Sequence, residues 1–172
     1  MTITPDEKDW TWVLERPCPE CGFRAGDLER RDLPGAIGGW AARWRTVLSR
    51  EDVTQRPEPT VWSPLEYACH VRDVLRIFAE RVVLMLDQDA PTFANWDQDA
   101  TAVAERYAEQ SPATVADELT LAAAALAVTF AEVPADAWER TGLRSNGSHF
   151  TVDSIGRYFA HDVVHHLHDV QG

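Results

Sequence analysis

Between Ser63 and Asp87 the chain has no glycine, and its one proline is Pro64 at the very start. Within that stretch Tyr67, Val71, Val74, Leu75, Phe78, Val82 and Met85 recur with the period of an α-helix, while Arg72, Arg76 and Glu80 fall opposite. Ser63 suits the cap, Pro64 sits where its missing N–H costs nothing, and Glu66 completes a capping box. A long amphipathic helix over 63–88 follows. Trp62, just before the cap, is placed to pack as a hydrophobic staple.

Three more helices read in the same way. Ser111-Pro112 opens a helix over 111–133, with Val115, Leu119, Ala122, Leu126, Thr129 and Val133 at spacings of four and three, closed by Pro134. A helix over 34–50 carries Trp40, Trp44, Val47 and Leu48 inward, its first turns weakened by Gly38 and Gly39. The last runs over 151–170 from a Thr151 cap. The link 89–110 has room for a short helix near 102–109. In the link 134–150, Ser145-Asn146-Gly147-Ser148 signals a turn, with room for one small hairpin. No run alternates in the manner of a longer strand. The expectation is an all-α four-helix bundle, with links long enough to permit crossover connections.

At 172 residues the chain is expected to form one domain, a bundle over 32–172 preceded by a segment over 1–31. Its 28 acidic residues against 16 Lys and Arg give a net charge of −12, which argues against a generic nucleic-acid binder. No uninterrupted apolar run reaches about 18 residues, so no membrane partner is expected. The acidic N-terminus does not resemble an export signal, which points to a cytoplasmic location and reduced thiols at Cys18, Cys21 and Cys69.

Chemistry concentrates in the histidines. Four of six, His161, His165, His166 and His168, lie on the last helix; the others are His70 and His149. His161 and His165, four residues apart, can present two imidazoles to one ion. His168 is about 10 Å from His161 along the axis, too far to share it. A third ligand must then come from elsewhere, with His70 at the edge of the second helix's buried arc favoured over His149 in its loop. Spacing alone leaves other readings open: a solvated histidine face suited to the helix C-terminus, and a hydrogen-bonded His70 at the core edge. Asp73 and Asp162 neighbour these histidines and could orient an imidazole. Cys18-Pro19-Glu20-Cys21 supplies two soft ligands, half of a zinc site, and no second CxxC exists. A structural turn is the favoured reading there, with zinc binding or a disulfide as alternatives.

His70 within WSPLEYACHVRDV, followed some ninety residues later by GRYFAHDVVHHLHDV, resembles the DinB/YfiT-like superfamily. The resemblance extends from about Asp32 to Val170 and implies a four-helix bundle with a divalent metal, zinc or nickel, held by His70, His161 and His165. It implies no role for His166 or His168. Several members are transferases or isomerases that use a low-molecular-weight thiol, among them bacillithiol- and mycothiol-dependent enzymes. The resemblance therefore implies a metal-dependent thiol S-transferase, with a small thiol and an electrophile as partners and a homodimer as the assembly. It names no catalytic or cofactor-binding residue beyond the metal ligands. The alternatives are a metal-binding protein without catalysis and a helical interaction protein with incidental histidines.

Overall fold

The computed structural model describes residues 3–4 and 9–172; the rest of the opening of the 1–31 segment lies outside the described residues. Five α-helices are present among them: α1 (Leu33–Leu48), α2 (Pro64–Asp87), α3 (Gln98–Ala104), α4 (Pro112–Ala131) and α5 (Val152–Asp169). The four long ones form the bundle expected, within two or three residues of the bounds read from caps and periodicity. α4 packs along both α1 and α2, and α5 lies against α2 and α1. Consecutive helices are therefore not simply neighbours, and the long links make the crossovers.

The cap chemistry operates as the sequence implies. Ser63 Oγ accepts from Glu66 N–H, and Glu66 Oε2 accepts from Ser63 N–H at 2.8 Å. Buried Glu66 also receives Arg56 Nε at 2.9 Å, so the box is tied to the preceding loop by a charged hydrogen bond. Trp62 meets Tyr67 edge to face at 5.4 Å, the staple across the same cap. At α5, Thr151 and Ser154 form a reciprocal box. The core between the helices holds Trp44, Leu119, Leu126, Ile155 and Leu167, with Phe159 packed against Phe78 and Phe130.

Three short strands accompany the helices, two of them as the small hairpin expected: β1 (Thr92–Phe93), β2 (Thr141–Arg144) and β3 (His149–Thr151). β1 pairs parallel to β2, and β2 pairs antiparallel to β3 around the expected 145–148 turn, where Gly147 takes φ +90°. At two to four residues they are too short to display an alternating pattern. The short helix in the first link also lies earlier than expected, opened by Asp97, whose carboxylate accepts from Ala100 N–H.

α4 is long and apolar enough, by length and composition, to cross a bilayer, although Asp117 and Glu118 interrupt its apolar run. Here it is a bundle helix, with Val115, Leu119, Leu126 and Phe130 buried against α1 and α2.

Candidate metal centres

α2 and α5 lie side by side, and α5 turns two adjacent faces toward possible ligands. Residues four apart share a face of a helix and consecutive residues are rotated by about 100°, so 161/165 and 162/166 point in different directions. The 161/165 face is turned to the N-terminal segment. The 162/166 face is turned to α2.

On the face toward α2, ligand atoms of His70, Asp162 and His166 lie within 4.8 Å of one another. His70 Nε2 is 3.3 Å from Asp162 Oδ1, and His166 Nε2 is 3.8 Å from the same oxygen. His70 is fully buried, stacked on Trp96 at 5.4 Å with a second ring, Trp62, at the same distance. Among the described residues neither of its ring nitrogens has a hydrogen-bond partner, and Asp162 Oδ1 likewise has none. A buried polar atom without a partner is costly, so a pair of them aimed together marks a place for a ligand. Burial would raise the Asp162 carboxyl, but the surrounding imidazoles, His70 foremost, hold it down to about 2, so it is an anion at neutral pH. His166 Nδ1 is engaged by Asp169 Oδ2 at 2.8 Å, which leaves Nε2 directed at Asp162.

On the face toward the N-terminal segment, His161 and His165 converge with Cys18 and Cys21, again within 4.8 Å. Burial, reinforced by His165, pushes the His161 imidazole down to about 4, and burial also lowers His165. Both are neutral near pH 7, the form in which imidazole binds a metal. Burial pushes the Cys21 thiol up to about 11.

The structure therefore groups the expected ligands differently. His161 and His165 come together as anticipated, but they face the cysteines, and His70 stands instead with Asp162 and His166. Two i, i+4 pairs run along α5, and the rotation of the helix decides which of them meets α2. Asp162, expected at most to orient an imidazole, touches His70 directly, and His166 is part of the cluster. Asp73 binds Arg72 and Tyr107 instead. Cys69 turns toward Tyr107 O and Gln110, His149 is exposed on β3, and His168 is exposed near the end of α5.

Beside the His70 cluster opens a cleft of about 590 Å³, whose walls include Trp62, Trp96, Arg144 and Tyr158 and, from both faces of α5, His161, Asp162, His165 and His166. Arg144 Nη1 lies 3.3 Å from Tyr158 Oη, placing a cation and a hydroxyl in the cleft wall. Asp9, Asp97, Asp99 and Asp169 also line it, so the cavity is acidic apart from that arginine.

Fold and geometry together define a four-helix bundle that gathers side chains able to ligate a metal on its second and last long helices. A family model for the DinB superfamily matches residues 39–170, and the chain belongs to that superfamily. Two solved structures share the fold. YfiT from Bacillus subtilis, described as a probable metal-dependent hydrolase with an unusual four-helix bundle topology, is 13% identical over 81% of this chain and 82% of its own, with a TM-score of 0.72. The mycothiol-dependent maleylpyruvate isomerase is 15% identical over 81% of this chain and 59% of its own, with a TM-score of 0.63. No curated protein matches in sequence.

Proposed function

We propose that this protein is a metal-dependent enzyme in which a divalent ion, zinc or nickel, held by His70, Asp162 and His166 activates a low-molecular-weight thiol toward an electrophile in the adjoining cleft. The observation that carries this reading is His70: fully buried, with neither nitrogen hydrogen-bonded among the described residues, and aimed at an ionised carboxylate beside a cavity. The donor set fits such an ion, since two imidazoles and one carboxylate are fewer ligands than it takes and leave positions open. A divalent ion there brings a bound thiol or water to its anionic, nucleophilic form near neutral pH.

The chain's own residues do the positioning. Trp62 and Trp96 fix the plane of His70, and Asp169 fixes His166 through Nδ1. Arg144 and the Tyr158 hydroxyl offer a carboxylate on thiol or acceptor a charged and a neutral donor. The aspartates around the rim disfavour strongly anionic molecules, so a substrate with one or two carboxylates suits the cleft better than a polyphosphate. The likeness to a mycothiol-dependent isomerase supports the thiol, and the likeness to YfiT supports hydrolysis by water as the alternative reading.

The test uses untagged protein and a panel of cellular thiols with electrophilic acceptors, before and after chelation. Thiol consumption that disappears on chelation and in Arg144→Ala supports the proposal. Metal-dependent hydrolysis of the acceptor without thiol would favour the alternative, and a metal-loaded protein inert in both assays would favour metal binding without catalysis.

A further inference from the structure

Cys18 and Cys21 have no part in the reaction proposed above. They stand in Cys18-Pro19-Glu20-Cys21-Gly22, a turn closed by Gly22 N–H to Cys18 O and by Cys18 N–H to Phe23 O, each at 2.9 Å. Gly22 sits at φ +75°, which glycine adopts without strain and which lets the chain double back directly after Cys21. The turn is thus shaped to present two sulfurs to one point.

That point is the 161/165 face of α5. Cys18 Sγ lies 3.7 Å from His165 Nδ1. Ligands about 2.0–2.3 Å from a tetrahedral zinc are separated from one another by about 3.3–3.8 Å, so this distance already suits a shared ion. His161 is 3% exposed, and its Nε2 has no hydrogen-bond partner among the described residues. His165 turns its other nitrogen, Nε2, toward Glu20 at 3.5 Å and Asp169 at 3.8 Å. A ligating histidine commonly places its other nitrogen against a carboxylate in this way.

We propose that Cys18, Cys21, His161 and His165 bind one zinc ion as a closed, four-ligand structural site that fastens the N-terminal segment to α5. Two thiolates neutralise the dication, and the sulfur and imidazole donors select zinc over magnesium or calcium. With four protein ligands no position is left for substrate, which separates this site from the open cluster one residue along the helix. The same segment is already laid on α5 by Arg157, which donates to Ala25 O, and by Trp10, whose ring lies 5.2 Å from His161 and 4.9 Å from His165. Asp169, against His165 through Oδ1 and His166 through Oδ2, touches both clusters.

The experiment loads the full-length, untagged protein with cobalt(II) in a thiol-free reductant. The wild-type spectrum is expected to show sulfur-to-cobalt charge transfer in the near ultraviolet and the strong visible bands of a tetrahedral ion, both displaced by about one equivalent of zinc. His166→Ala keeps these bands, which sets this site apart from the cleft centre, and Cys21→Ser loses about half of the charge transfer, the share of one of the two thiolates. The wild-type and His166→Ala spectra decide the matter even if Cys21→Ser fails to fold. A wild-type spectrum without sulfur charge transfer would overturn the proposal, as would a chain mass short by two hydrogens, the mark of a Cys18–Cys21 disulfide. Either failure would leave the cleft centre and its metal content untouched.

Discussion

His70 is buried with both ring nitrogens unsatisfied among the described residues, an arrangement that costs stability until a ligand arrives. In chelated protein, replacing both members of the pair, His70→Leu with Asp162→Leu, is therefore expected to leave the fold as stable as the parent or more stable, by up to about 1–3 kcal/mol, while losing the cleft metal, whereas His70→Leu alone strands the Asp162 carboxylate. Urea unfolding of both apo proteins checks this, and a clear loss of stability would show that the imidazole is satisfied without metal. Glu66 makes the opposite case. Burial pushes its carboxyl up, but Arg56 and the Ser63 N–H and hydroxyl outweigh it, and the net pKa is lowered. A carboxyl with a lowered folded-state pKa stabilises the fold fully above its unfolded value, near 4.5, and progressively loses that contribution as pH falls through the folded value. Glu66→Gln is expected to lower the melting temperature at neutral pH and to flatten its decline in acid. An unchanged acid limb would mean that the Arg56 pair contributes little.

Among the elements, α5 shows most clearly what a sequence can and cannot carry. Its cap, its extent and its histidine spacing follow from local rules. The direction of its faces does not, because Asp162 and His166 have the same i, i+4 spacing as His161 and His165. Only packing against α2 and the N-terminal segment selects between them. Cys18 and Cys21 are legible as half a metal site, but the other half lies some 140 residues away and is brought near by tertiary structure alone. The strands hide for another reason, spanning at most two periods of the strand alternation, too few to stand out as a pattern. β2 nevertheless makes a sharp demand at Gly142, where an added Cβ would run into Phe93 Cζ and lie 2.9 Å from Met85 Cγ. Gly142→Ala is expected to destabilise by about 1–3 kcal/mol, because the β1 ring and the end of α2 must both give way. Thermal unfolding measures it, and a neutral result would mean that Phe93 moves aside freely.

At the scale of the whole molecule, one helix serves two faces: His161 and His165 toward the cysteine turn, Asp162 and His166 toward His70, with both pairs reaching the wall of the cleft. The cysteine side fastens a segment outside the bundle, and the cleft side is open to small molecules. Sequence resemblance alone places a single ion on His70, His161 and His165, and the two arrangements differ in which substitutions remove which ion. The most direct test is metal content per chain in the wild type, His166→Ala and His161→Ala, each purified without a tag. The account predicts that His166→Ala loses the cleft ion and retains the cysteine-bound zinc, while His161→Ala does the reverse. If His166→Ala keeps all of its metal while His161→Ala and His70→Ala both lose the same ion, the ion belongs to the three histidines and the division of α5 into two faces is wrong.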